Sequence, residues 1–227
     1  MEKEAIADII EWDIESWKKA LEFWEEKVDW SKIHHALELG GRRGGLSLWL
    51  AQKGIKCICS DLEDTEATAK PLHQKYGVQN LVEYRDINAL NIPYENHFDL
   101  VGFKSIIGGI GRDNNPQNQR KAFEEIYKAL KPGGVLVFAE NLSASLMHKT
   151  LRKKFVKWGD SWRYVTLTEV SDYLSIFSSF ELKSTGLMAS FGRNEAQRRA
   201  LAKFDKLGLN QLSPASWKYI GYGIAVK

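Results

Sequence analysis

Apolar residues recur at helical spacing from the start of the chain. Ile6, Ile10, Ile14, Trp17, Leu21 and Trp24 fall on one face, which predicts an amphipathic helix over residues 4–27. The period then changes. Short apolar runs at His35–Leu39, Ile55–Ser60, Leu81–Tyr84, Phe98–Phe103 and Val135–Ala139 read as strands. Between them Leu46–Gln52, Glu66–Tyr76 and Gln117–Leu130 read as helices, the last two stopped by Gly77 and by Lys131-Pro132-Gly133-Gly134. This alternation predicts an α/β fold with a mostly parallel sheet and helices on both faces.

After Glu140 the rhythm loosens. Leu142–Lys157 reads as a basic helix, Gly159–Tyr164 as a loop and Leu167–Phe177 as a helix. A strand at Phe180–Met188, a charged helix at Asn194–Leu207 and a last strand at Trp217–Val226 follow. No repeat or linker interrupts the chain. Residues 1–227 therefore read as a single domain, with a leading helix in 1–30 and with 142–165 and 190–216 as decorations on one sheet.

Composition narrows the picture little. Hydrophobic residues make up 44% of the 227, enough for a sizeable core. A net charge of +3 demands no polyanionic partner. No apolar run reaches the roughly 20 residues that cross a bilayer, and Met1-Glu2-Lys3-Glu4 lacks the basic start of a signal peptide. The only cysteines, Cys57 and Cys59, share one strand face and read as reduced core residues, so a cytoplasmic location is expected.

The chemistry concentrates in Glu38-Leu39-Gly40-Gly41-Arg42-Arg43-Gly44-Gly45-Leu46-Ser47, between the first strand and its helix. A dinucleotide fingerprint needs G-x-G-x-x-G, and Arg42 stands at its middle glycine. A phosphate loop needs a lysine where Leu46 stands. A third pattern has an acid at the strand end, then glycines, then a helix. Glu38 supplies that acid, and Asp61 supplies a second at the end of the next strand, placed to accept two ribose hydroxyls. That arrangement suits a donor with an amino-acid end and no phosphate. An NAD enzyme uses the same ribose acid, so a nucleotide-binding oxidoreductase stands as an alternative.

With these residues in view, the chain resembles the class I S-adenosylmethionine-dependent methyltransferases, closely over residues 34 to 141. Glu38 to Gly44 resembles the family's E-x-G-x-G-x-G motif, with Arg42 as the departure. Asp61 matches the acid after the second strand, and Arg85-Asp86-Ile87 the third motif. Phe98-Asp99-Leu100-Val101 looks like the fourth strand, and Leu130-Lys131-Pro132-Gly133-Gly134 like the L-K-P-G-G turn. The resemblance implies a Rossmann-like methyltransferase sheet with an antiparallel C-terminal strand. It implies S-adenosyl-L-methionine as cofactor, held by Glu38, Gly40, Gly41, Gly44, Asp61, Leu62, Asp86, Ile87 and Lys104. Asp86 would then meet the adenine amino group.

Methyl transfer is an in-line displacement from an activated sulfonium, so the protein chiefly aligns the reactants and excludes water. A general base is optional, and no catalytic residue is assigned. No metal-ligand cluster stands out. Acceptor-side candidates by position are Ser105 and Glu140, at the ends of the fourth and fifth strands. The Trp158, Trp162, Arg163 and Tyr164 loop adds aromatic faces and a guanidinium suited to an anionic or hydroxyl-rich group. Gly108, Gly109 and Gly111 either keep space for the ligands or form a flexible loop. Lys104-Ser105-Ile106-Ile107 replaces the D/N-P-P-[YF] motif of many base methyltransferases, which argues against nucleic acid and for a small-molecule or glycan acceptor. A non-catalytic membrane-surface protein is the other alternative, because His148–Phe155 mixes basic residues with Leu151 and Phe155.

Overall fold

The alternating pattern resolves into seven strands of one sheet in the computed structural model, which describes residues 3–155 and 161–227. They are β1 (His35–Leu39), β2 (Lys56–Asp61), β3 (Val82–Asp86), β4 (Phe98–Lys104), β5 (Leu130–Asn141), β6 (Ser179–Thr185) and β7 (Ile220–Val226). The order is β3-β2-β1-β4-β5-β7-β6, and β7 alone runs antiparallel to its neighbours. The Rossmann-like sheet and its antiparallel C-terminal strand are thus as expected.

Helices α1 (Lys3–Ile10), α2 (Ile14–Lys27), α3 (Gly45–Ala51) and α4 (Thr65–Lys75) pack on one face. Helices α5 (Ile107–Ile110) and α6 (Pro116–Ala129) pack on the other, as does α8 (Leu167–Tyr173). Helices α7 (Leu146–Phe155), α9 (Glu195–Phe204) and α10 (Asn210–Leu212) complete the chain. Strand periodicity divides the core. Ala36, Cys57, Cys59 and Leu100 face the first layer, while Leu37, Ile58, Val101 and Phe103 face the second. Burial pushes the Cys57 thiol up to about 12, and Cys59 higher still, so both act as inert core residues. The tryptophan stripe also packs: Trp17 and Trp24 are buried, and the Trp24 indole N–H donates to the Gly223 carbonyl at 3.0 Å.

Several boundaries move. The expected helix over 4–27 is two helices, broken where Glu11 and Asp13 take φ of 71° and 48°. The break is fixed from far away in sequence. The Glu195 carboxylate accepts the N–H groups of Asp13 and Ile14 at 2.7 and 3.2 Å, and the Tyr219 hydroxyl donates to Asp13. These bonds replace the helical ones that continuity would have made. β5 begins at Leu130, opposite Phe98, and the Lys131–Gly134 turn is a bulge before Val135 pairs with Leu100. β6 ends at Thr185, where Gly186 has φ of 82°. Residues 174–176 and 215–217 form single 3-10 turns, so the helix after Leu167 is shorter, and the last strand starts later, than the pattern suggests.

Candidate functional site

The carboxyl ends of β1, β2 and β4 open onto the glycine loop. Glu38 is buried beneath it, and its carboxylate accepts the N–H groups of Leu46 and Ser47 at 2.9 and 2.8 Å and the Ser47 hydroxyl. It thereby anchors the first turn of α3, whose N–H groups lack helical partners. Gly41 lies directly over this carboxyl group: a Cβ there would come within 2.8 Å of the Glu38 carboxyl carbon. Gly44, at φ of 77°, would drive a Cβ to 2.5 Å from the His73 ring. His73, which the pattern does not single out, fixes the loop from below. Its two ring nitrogens meet the Gly44 carbonyl at 2.9 Å and the Tyr84 hydroxyl at 3.0 Å, and burial depresses its pKa.

The departure at Arg42 has a local explanation. Arg42 adopts φ of 49°, the conformation its usual glycine would take at little cost. Its N–H donates to the Asp61 carboxylate at 2.8 Å and its guanidinium pairs with Glu11 at 3.5 Å, which holds the strained residue in place.

Asp61 ends β2 half-exposed, accepting also the Leu62 N–H at 2.7 Å. Among the described residues no ion pair involves it. It does not cap α4. Asp64 stands at the N-cap without a side-chain bond, and the acceptor comes from Asp86 on the next strand, which takes the Thr65 N–H at 3.1 Å and the Thr65 hydroxyl at 2.7 Å. Those bonds hold the Asp86 carboxyl below its ordinary value. Thr65 thus ties the ends of β2 and β3 together, since its hydroxyl also accepts the Asp61 N–H at 3.0 Å. Leu62 stands 67% exposed beside this edge, and Ile87 is buried with its N–H on the Asp61 carbonyl at 2.7 Å.

The turn between α1 and α2 covers the cleft. Lys104 donates to the Ile10 carbonyl at 2.9 Å, with its ammonium 5.3 Å from the Trp17 ring centroid. The Ile9 carbonyl rests over Gly45, 2.3 Å from where a Cβ would stand. Burial lowers the Lys104 pKa, against the pull of Glu11, Glu38 and Glu140. Glu140 is buried at the end of β5 and accepts the N–H groups of Ile107 and Asn141 at 2.7 and 2.8 Å. Ser105, at φ of 59°, accepts from the Asn141 amide at 2.6 Å and so links the ends of β4 and β5.

The aromatic loop is placed differently from the expectation. The Trp162 indole lies against Gly108 and Gly109, so these glycines keep space for a side chain of this chain. Gly111 does the same for Gln119. Arg163 is not a free anchor: its guanidinium donates to Asn114 at 3.2 Å, to Gln119 and to Glu169. With each of its three nitrogens engaged, it braces the loop to α6 and α8. Tyr164 is half-buried beside Val165, which bridges to Leu142. Trp158 lies outside the described residues. No group of three or more potential metal ligands gathers among the described residues.

Two outcomes follow from these contacts. A Cβ at Gly108 would stand 1.7 Å from the Trp162 indole nitrogen. Gly108→Ala is therefore expected to expel that ring and cost about 2–3 kcal/mol by chemical denaturation, whereas Gly54→Ala, where a Cβ meets nothing within 4 Å but φ is 81°, costs about 1. The second concerns pH. Burial raises Asp13 to about 6 and Glu140 to about 7. Each keeps its proton in the folded state over a range where the unfolded chain has lost it. The stability they favour is present below the ordinary carboxyl range and is lost as pH rises through about 6 and about 7. The melting temperature should fall from about pH 4 to about pH 7 and level off above that, and Glu140→Gln should flatten that fall; an unchanged slope in the variant would contradict the assignment.

Comparison with known proteins agrees with this architecture. Residues 37–138 match the family model described as methyltransferase domain. Comparison with curated sequences found no relative. Among solved structures, Haemonchus contortus phosphoethanolamine N-methyltransferase 2 superposes with a TM-score of 0.65 at 20% identity, over 93% of this chain and 52% of that one. The chain thus spans about half the length of that structure. The YcgJ protein of Bacillus subtilis gives 0.64 at 16% identity, over 92% and 98% of the two chains. A SAM-dependent methyltransferase from Archaeoglobus fulgidus gives 0.62 at 14%, over 93% and 95%. At these identities the likeness establishes the fold. Together with the domain model matched over residues 37–138, it describes a sheet like that of the S-adenosylmethionine-dependent methyltransferases.

Proposed function

We propose that the protein transfers the methyl group of S-adenosylmethionine to a small-molecule or glycan-type acceptor. The observation that carries this reading is Asp61. Its carboxylate is oriented by the N–H groups of Arg42 and Leu62, stands at the cleft edge, and has acceptor capacity left for a ribose diol. No lysine occupies the phosphate position of the loop, and Arg42 is paired with Glu11, so the donor set fits a nucleoside without phosphates. Asp61 would hold the ribose. Leu62, Asp86 and Ile87 would border the adenine, and Gly40, Gly41 and Gly44 would pass beneath the amino-acid end over the buried carboxyl group of Glu38. When bound, the cofactor supplies a methyl group already activated on a sulfonium.

The remaining work falls to this chain. The α1–α2 turn, closed by Lys104, excludes water. Ser105 and Glu140 border the acceptor side, and Glu140 can take or release a proton near neutrality. The Haemonchus contortus structure holds phosphomonomethylethanolamine, which supports a small-molecule acceptor. The test supplies methyl-labelled donor with a small-metabolite extract, and separately with tRNA and DNA. Label is expected in the small-molecule fraction; label in nucleic acid alone would refute the acceptor class.

A further inference from the structure

The segment from the end of α9 through residue 217 has its polarity reversed. Asp205 is 2% exposed, and its carboxylate accepts the N–H groups of Leu187 at 3.0 Å, Met188 at 2.9 Å and Ala189 at 3.3 Å. Asn210 accepts the Gly186 N–H at 2.9 Å. These two polar side chains fasten the segment to the loop after β6, and in doing so they turn its apolar residues outward. Leu207 and Leu212 are 83% and 86% exposed, and Phe204, Leu209 and Trp217 are exposed as well. Ten large apolar side chains are exposed among the described residues, and these are five of them, within fourteen positions. Scattered exposure is ordinary; concentration in one stretch marks an interaction surface. Turning these leucines inward would stabilise the fold, so the outward face has another use.

Its charge states what the partner is. Between residues 193 and 218 stand Arg193, Arg198, Arg199, Lys203, Lys206 and Lys218 against Glu195 and Asp205. Asp205 is buried, Glu195 is paired with Arg198 at 2.8 Å, and Lys206 is paired with Glu15 at 2.9 Å, which leaves Arg199, Lys203 and Lys218 to face the partner. The surplus of four exceeds the +3 of the entire chain. Helix α7 adjoins this region, its His148 ring stacked on Phe191 at 4.8 Å, and it carries the exposed Lys149. Exposed leucines and aromatics with a basic surround match the boundary of an anionic bilayer, where apolar side chains enter the headgroup layer and lysines meet the lipid charge. A second copy of this chain would instead bring a like-charged surround against this one.

We propose that residues 193–218 dock the protein on an anionic membrane surface, through Phe204, Leu207, Leu212 and Trp217 set among Arg199, Lys203 and Lys218. The test uses the full chain in co-sedimentation with phosphatidylcholine vesicles, with and without phosphatidylserine. Binding is expected to the phosphatidylserine vesicles alone, weakened about tenfold by high salt and about tenfold by Leu207→Glu with Leu212→Glu. Both leucines are exposed, so the variant should keep the wild-type melting temperature and its affinity for S-adenosylhomocysteine. Absence of phosphatidylserine-dependent binding, or equal binding by the variant, would overturn the proposal. A wild-type dimer that the same variant dissociates, seen by light scattering, would overturn it in favour of self-association.

Discussion

Glu38→Ala is expected to destabilise the protein by about 2–4 kcal/mol and to loosen the glycine loop. The buried carboxylate accepts two backbone N–H groups and one hydroxyl at the start of α3. Alanine leaves those donors without a partner in a site closed to water, and leaves a void beneath Gly41 as well. Burial raises the pKa of Glu38, so part of the gain from its bonds is offset by the cost of its charge, which is why the expected loss is below the sum for three charged bonds. Glu38→Gln keeps the volume but turns an amide N–H₂ toward backbone donors, and should fall between the two. Chemical denaturation checks the series. A loss below about 1 kcal/mol for the alanine variant would mean that the loop is held by His73 and not by Glu38.

Asp61→Ala is expected to weaken donor binding by on the order of 2–4 kcal/mol while leaving the fold intact. Asp61 is half-exposed and its bonds are to the Arg42 and Leu62 N–H groups at the loop surface, where water can replace it. Removing two charge-assisted bonds to a ribose diol is what that magnitude represents. Asp61→Asn retains one acceptor oxygen and should lose about half as much. An alanine variant with unchanged affinity would show that Asp61 serves only to hold Arg42 in its left-handed conformation.

These two residues were legible in the sequence because they depend on local order: a strand, an acid, glycines, a helix. The sheet was legible for the same reason, since each strand's alternation is written in its own few residues. What escaped was set by contacts remote in sequence. The break at Glu11–Asp13 needs Glu195 and Tyr219, about 180 to 206 positions away, and an unbroken apolar stripe runs across it. Asp86 reads as a binding-site acid, yet the tertiary fold also gives it the start of α4 through Thr65. The meaning of Gly108 and Gly109 lay in Trp162, more than fifty residues on, and the fate of Arg163 in Gln119 and Glu169. A side chain's type announces what it can bind, while its neighbours decide what it does bind.

The central claim is that the cradle of Glu38, the glycines and Asp61 holds a methyl donor and not a dinucleotide. Calorimetric titration of the full chain with S-adenosylhomocysteine and, separately, with NAD tests it most directly. Binding of S-adenosylhomocysteine with a dissociation constant in the micromolar range, about 8 kcal/mol, is predicted, with no heat from NAD. Saturable binding of NAD with none of S-adenosylhomocysteine would contradict it.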